Sequence, residues 1–352
     1  MIRRISNLVH HLTSRKPAVG VSPSDTIFSE NKWRLLRYRP APDVAPLESA
    51  PLLLVPSLIN RHYILDLMPG KSLVEYFLHQ GFEVYIIDWG TPGDEDRFLT
   101  LDEITVGYLG RAIRQVAARS PQNKTHLLGY CLGGTLTTIF AALNSEQIAS
   151  MVTLAAPVDF HDDGLLSKWS NMPSLDLDAL VDGTGNVPWP LMQAGFHLLR
   201  PTMNLSKAVY MLDRAWDDQF LDGFFALETW GNDNVSFPGE AFRKYIRDCY
   251  QRNLLIKGQL RMAGHPVDLS AINTPTLAIS FSHDHIVPPA SVEAISNHVA
   301  APLGRTLRLN GGHVGAVVSR KASTSLWPLM GEFFQCPAPV ASNLEESSRC
   351  AI

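Results

Sequence analysis

The segment Thr125-His-Leu-Leu-Gly129-Tyr-Cys131-Leu-Gly133-Gly-Thr-Leu-Thr-Thr-Ile-Phe140 decides the fold. It opens as a short apolar run of strand length, passes through a polar residue set between two glycines, and continues as an apolar helix. A strand that turns this sharply into a helix holds the residue at the corner in a strained backbone conformation. Side chains two positions to either side would clash, which is why Gly129 and Gly133 flank Cys131. The helix that follows aims its N-terminus at the sulfur, and its dipole favours the thiolate. The competing reading is a buried structural cysteine, a common fate of this residue type.

Outward from this segment, apolar runs alternate with helical stretches. Leu52 to Pro56, Glu83 to Trp89, Ala149 to Ala155, Thr274 to Phe281 and Arg305 to Leu309 read as strands, and Ser72 to Gln80 and Ile104 to Ala118 as helices. Continuous apolar strands separated by helices predict a mostly parallel sheet covered on both faces. Between Asp159 and Asp268 that rhythm gives way to Trp169, Trp189, Trp216 and Trp230, several prolines and a helical stretch over Glu240 to Asn253, as expected of a cap inserted between sheet strands. The chain therefore divides into an N-terminal segment (1–30), a first core part (31–158), the cap (159–268), a second core part (269–336) and a disordered tail (337–352). Ile2, Ile5, Leu8, Val9 and Leu12 fall at helical spacing, so the first segment could form an amphipathic helix.

The 352 residues carry a net charge of −4, with 45% hydrophobic and 18% charged residues. This is a globular composition without the basic excess that nucleic-acid binding needs. The four cysteines, Cys131, Cys249, Cys336 and Cys350, are too scattered for a disulfide framework or a metal cluster, so a reducing cytoplasm is the expectation. No signal peptide and no membrane span is read, which predicts a soluble or at most peripheral protein.

The strand–cysteine–helix corner fits the nucleophile elbow G-x-S-x-G of the α/β-hydrolase fold with cysteine in place of serine. Such an elbow calls for an acid and then a histidine downstream, each in a loop after a late strand. Asp284, in Phe-Ser-His-Asp-His-Ile-Val-Pro-Pro, and His313, in Asn-Gly-Gly-His-Val-Gly, have that order and placement. The acid would hold the imidazole in one tautomer, and the imidazole would move protons. His283 and His285 flank the acid and are its rivals, with packing or loop hydrogen bonding as their simpler role. No second ligand cluster accompanies them, so no metal is expected. Two backbone amides would bind an oxyanion: that of Leu132, after the nucleophile, and that of Ile59, with Leu58 as second choice, in the loop after Leu52 to Val55.

With these residues in view the sequence resembles the polyhydroxyalkanoate synthases, catalytic subunit PhaC. The matching stretches are Asn60-Arg-His-Tyr-Ile-Leu-Asp-Leu-Met-Pro, Asp88-Trp-Gly-Thr-Pro-Gly, the elbow Gly129-Tyr-Cys-Leu-Gly-Gly-Thr, Asp284-His-Ile-Val-Pro-Pro and Gly312-His-Val-Gly, with Glu228-Thr-Trp-Gly-Asn-Asp and Tyr250-Gln-Arg-Asn in the cap. The resemblance implies an α/β-hydrolase fold with a Cys131–His313–Asp284 triad under a cap. It implies polymerisation of (R)-3-hydroxyacyl-coenzyme A, 3-hydroxybutyryl-coenzyme A foremost, into polyester. Coenzyme A would be the leaving group, and no cofactor is expected. Without the long N-terminal domain of single-subunit synthases, the chain looks like the class III type. That type implies a PhaE partner subunit, a homo-oligomer and work at the surface of a polyester granule. A cysteine suits the task because acyl transfer from one thioester to another keeps the acyl group activated until an alcohol attacks. Two alternatives use the same residues or the same fold: a thiol hydrolase such as an intracellular depolymerase or thioesterase, and a non-catalytic granule-associated protein.

Overall fold

The computed structural model describes Asn7 and residues 17–199, 203–299 and 303–337. The apolar stripe from Ile2 to Leu12 and all of the tail but its first residue lie outside the described residues. At the centre is an eight-stranded sheet, ordered β1-β2-β4-β3-β5-β6-β9-β10. Its strands are β1 (Ser24–Glu30), β2 (Trp33–Tyr38), β3 (Leu52–Val55), β4 (Val84–Asp88), β5 (Thr125–Tyr130), β6 (Ile148–Leu154), β9 (Thr276–Phe281) and β10 (Gly304–Leu309), while β7 (Arg261–Met262) and β8 (His265–Pro266) form a separate hairpin. From β4 to β10 every neighbouring pair is parallel. Strands β3, β4, β5 and β9 are buried at every position. That accounts for their continuous apolar runs, since helices cover both faces.

Two strands at one end of the sheet, β1 at the edge and β2 beside it, lie upstream of Leu52, where the apolar runs read as strands begin. Both run antiparallel to their neighbours. The pattern of β2 is interrupted by arginines that pair with acids in β4 and just before it: Arg34 pairs with Asp88 at 2.5 Å and Arg37 with Glu83 at 2.7 Å. Cross-strand ion pairing replaced the apolar run that would have marked β2 as a strand.

The first half of the sheet carries helices α1 (Leu73–His79), α2 (Gly110–Ala117) and α3 (Leu132–Leu143). Helix α3 is buried from Leu132 to Ala142, and its hydroxyls are satisfied locally: Thr135 donates to the Pro157 carbonyl, and Thr137 and Thr138 to that of Gly134, each at 2.8 Å. The chain between β6 and β9 forms helices α4 (Leu165–Ser170), α5 (Leu177–Thr184), α6 (Trp189–Leu198), α7 (Met203–Asp213), α8 (Asp218–Gly231) and α9 (Gly239–Lys244). Arg243 and Arg247 bind Asp178, tying α9 and the turn after it to α5. Strand β3 connects to one side of the sheet and β5 to the other, so the carboxyl ends of β3 and β5 flank a topological switch point, where open α/β sheets place their ligands. Cys131 follows β5 at that point. Among the described residues no helix is long and apolar enough to cross a membrane.

At the opposite end of β5, His126 is buried with both ring nitrogens engaged. Nδ1 lies 2.7 Å from Ser150 Oγ and Nε2 3.0 Å from Ser49 Oγ. Burial pushes the ring down to about 4. The unfolded chain, with a histidine near 6.5, therefore binds a proton that the native state refuses between about pH 6.5 and about pH 4. Stability is thus fully present above that window and falls as pH drops through it, by up to about 3 kcal/mol. The expected result is a urea midpoint that declines more steeply between about pH 6.5 and about pH 4 in the wild type than in His126→Gln, which keeps polar contacts without a titrating ring.

Candidate active site

Cys131 has φ 54° and ψ −129°, a conformation that side-chain-bearing residues rarely adopt. Three contacts enforce it. The Cys131 N–H donates to the Leu154 carbonyl at 2.9 Å, the Gly134 N–H donates to the Cys131 carbonyl at 2.9 Å, and three glycines let the chain pack tightly around the corner. A methyl on Gly129 would strike Gly134 and the Thr137 hydroxyl. One on Gly133 would strike the Val55 and Pro56 carbonyls. Gly134, which the sequence reading did not single out, is needed because Ala156 lies against it. That contact joins the corner to the segment after β6 and has no local signature.

Strands β9 and β10 deliver the other two residues. The loop after β9 carries Asp284, 6% exposed, and the loop after β10 carries His313, 9% exposed. His313 Nδ1 donates to Asp284 Oδ2 at 2.7 Å. The other oxygen, Oδ1, accepts the N–H groups of Ile286 and Val287 at 2.9 Å each, so the carboxylate is fixed before it meets the ring. Cys131 and His313 line the same cavity, and the sulfur acts on the ring. Burial favours the neutral ring, yet the negative charges of Cys131 and Asp284 and their hydrogen bonds outweigh it and raise the ring to about 10. Of those opposing influences the Cys131 charge is the largest. Tyr130, absent from the sequence reading, supports this pair: its ring lies 5.4 Å from the imidazole and its hydroxyl donates to the His313 carbonyl at 3.2 Å.

Leu132 is the first residue of α3, directly after the thiol, and Ile59 lines the space in front of Cys131. Leu58 instead points into the core. Three spaces meet here. A small cavity of about 150 Å³ contains Cys131, His313, Tyr130 and Ile59 beneath Trp189 and Trp230. An apolar chamber of about 330 Å³ extends from Cys131 past Trp169, Phe237, Tyr245 and Tyr250. On the His313 side a wider space of about 750 Å³ is bordered by His197, Lys207, His283 and His285. The rivals of Asp284 thus face this outer space, not the thiol. Of the four cap tryptophans, Trp169, Trp189 and Trp230 line cavities, whereas Trp216 is 50% exposed. Cys249 is fully buried, and that burial pushes its thiol far up, leaving it inert. Among the described residues no group of three or more His, Cys, Asp or Glu is arranged to hold a metal.

Comparisons with known proteins agree with this fold. The α/β-hydrolase fold family matches residues 50–315, and the poly-beta-hydroxybutyrate polymerase (PhaC) N-terminus family matches residues 16–77. The poly(3-hydroxyalkanoate) polymerase subunit PhaC of Allochromatium vinosum is 37% identical, across 89% of this chain and 88% of its own length. The chain belongs to the PhaC family. The PhaC subunit of Haloferax mediterranei is 35% identical across 92% of this chain, which spans 65% of that relative. Among solved structures, Mycobacterium tuberculosis BpoC, described as a non-heme bromoperoxidase, superposes with a TM-score of 0.52 at 16% identity, over 92% of this chain and 99% of its own, and shares the fold.

The PhaC relatives are polymerase subunits, so this is an acyltransferase scaffold of α/β-hydrolase type. Its corner allows a direct test. Gly133→Ala forces a methyl onto the Val55 and Pro56 carbonyls, and the expected loss is about 1–3 kcal/mol of stability. Urea unfolding of the variant beside the wild type measures it.

Proposed function

We propose that the chain polymerises (R)-3-hydroxyacyl-coenzyme A, with 3-hydroxybutyryl-coenzyme A as the leading substrate, through an acyl thioester on Cys131. The observation that carries this reading is a cysteine held at a strained elbow against a buried, carboxylate-oriented histidine, in a chain of the PhaC family.

In the first half-reaction the Cys131 thiolate attacks the thioester carbonyl. The carbonyl oxygen becomes an oxyanion held by the Leu132 and Ile59 amides, the new C–S bond forms, and the C–S bond to coenzyme A breaks. His313, holding its proton because of the thiolate beside it, gives that proton to the departing coenzyme A sulfur. Acylation removes the Cys131 charge, which is the largest influence raising His313. The ring thereby becomes a competent base for the second half-reaction. It takes the proton of a 3-hydroxyl, whose oxygen attacks the Cys131 thioester. An ester bond forms and the thiolate is regenerated beside a protonated ring. Asp284 acts through His313, fixing its tautomer.

The apolar walls of the inner chamber support alcohol over water as the second nucleophile. The same reading includes a PhaE partner subunit, self-association and contact with the growing polyester granule. The cap offers exposed apolar side chains for such contacts, among them Leu198, Val209, Tyr210, Leu212 and Trp216.

Coenzyme A release from (R)-3-hydroxybutyryl-coenzyme A, with and without PhaE, and with the acyl product identified, tests the proposal. Polymer is expected from the wild type and none from Cys131→Ala, whose turnover should fall at least about a thousandfold. Free hydroxybutyrate without polymer would make the chain a thiol hydrolase. Asp284→Asn leaves a neutral amide against the ring and should lower turnover by about a hundredfold to ten-thousandfold with little change in melting temperature.

A further inference from the structure

The loop that carries Ile59 is gripped from two directions. On the core side, Trp89 Nε1 donates to the Pro56 carbonyl at 3.0 Å, and Gly133 lies against the same peptide. On the other side the partner is the cap. Asn60 and Asn234 form an antiparallel bridge, and Asn60 Nδ2 donates to Asn234 Oδ1 at 2.6 Å. Asp233 accepts from two residues of the loop, from Arg61 Nε at 3.0 Å on Oδ1 and from the Tyr63 hydroxyl at 2.7 Å on Oδ2. Trp230 Nε1 donates to the Arg61 carbonyl at 2.9 Å. Asn234 is itself oriented, because its Nδ2 donates to the Gly231 carbonyl at 2.8 Å, which leaves Oδ1 facing Asn60.

These bonds begin at the residue next to Ile59 and end in the segment that terminates α8. Gln193 of α6 also reaches this segment, donating to the Gly231 carbonyl at 3.1 Å. Between Ser57 and Arg61 the chain belongs to no strand, and the core holds it through Trp89 at Pro56 and through the Thr91 hydroxyl, which accepts from Arg61 Nη1 at 2.9 Å. Donors to an oxyanion work by being held in place before the charge develops, and a displacement of a few tenths of an ångström weakens them. The cap therefore supplies part of the rigidity that the loop lacks.

We infer that Asp233 and Asn234 are positioning residues for acyl transfer, holding residues 60–63 so that the Ile59 amide stays in place beside Cys131. Neither is bonded to the thiol; Asp233 acts through the loop, and Asn234, which also borders the cavity holding Cys131, does so through Asn60. The inference rests on Cys131 being an acyl-transfer nucleophile. It makes the seating of the cap a condition for charge stabilisation as well as for covering the site.

The test compares two reactions of the same thiol. Acylation of Cys131 by p-nitrophenyl acetate passes through an oxyanion and releases p-nitrophenolate as the new C–S bond replaces the C–O bond. Alkylation by iodoacetamide displaces iodide at a saturated carbon and develops no oxyanion. In the Asp233→Ala/Asn234→Ala double variant, acylation is expected to slow about tenfold or more while alkylation stays within about twofold of the wild type. Asp233→Glu, which keeps a carboxylate for Arg61 and Tyr63, should recover part of the loss. Should the double variant fail to fold, Tyr63→Phe and Asn234→Ala, each removing a single link, should show the same selective loss at smaller size. Acylation that is unchanged in all of these, acylation and alkylation that fall together, or a wild-type Cys131 that alkylates but cannot be acylated would each overturn the inference. An acylated Cys131 that yields only free acid from hydroxybutyryl-coenzyme A would instead sink the polymerase reading and leave the positioning role standing.

Discussion

Everything at this site depends on one backbone corner with positive φ. A cysteine at φ 54° costs on the order of 1–3 kcal/mol against an ordinary conformation, and it persists only because the surroundings over-determine it. They do so with the sheet itself. The Cys131 amide is held by the end of β6, Gly133 packs onto the end of β3, and Gly134 onto the segment after β6. The two strands that flank β5 therefore define the turn. Relaxing the corner would mean separating parallel strands that are buried along their length, which is why so small a motif can be so rigid.

The second constraint is charge in a dry place. An isolated buried imidazolium is costly, and burial alone would keep His313 neutral. Negative charge at the Cys131 sulfur and at the Asp284 carboxylate reverses that balance, and the carboxylate is held in place by two backbone N–H groups. The arrangement is self-adjusting in the proposed reaction. While Cys131 is charged the ring keeps its proton, and once the sulfur is acylated that electrostatic support is gone. One histidine can then serve as acid in one half-reaction and base in the next without any movement of the fold.

The core of this architecture was legible because its signals are local. Strands buried on both faces read as apolar runs, the elbow needs glycines at fixed offsets, and Asp284 and His313 each follow a late strand closely. The strands read from Leu52 onward recur within a residue or two of their bounds, and the sequence brings Cys131, His313 and Asp284 to one point. What escaped notice rests on distant partners. Strand β2 hid because Arg34 and Arg37 answer acids in β4 and just before it. Gly134 is explained only by Ala156 across the turn, and Tyr130 only by a carbonyl 183 residues further along. The grip of Asp233 on Arg61 and Tyr63 spans some 170 positions and has no periodicity to betray it.

That last contact changes what the cap is for. A cover that merely excluded water would need apolar surface over the thiol, which Trp189, Met192 and Phe196 supply. It would have no use for a carboxylate with both oxygens engaged by the loop after β3. Asp233 is partly exposed, so its two bonds add little to global stability by comparison with buried packing. Their effect is local: they fix Arg61 and Tyr63 from the cap side, where Trp89 and Thr91 hold the same loop from the core side. On the proposed reading, a cap joined to the core in this way would not lift from Cys131 without also loosening the loop whose Ile59 amide is proposed to bind the oxyanion. In the proposed reaction water exclusion and charge stabilisation would then be gained and lost together, so an open, wet site would also be a poor acyl-transfer catalyst and a single set of contacts would suppress hydrolysis twice.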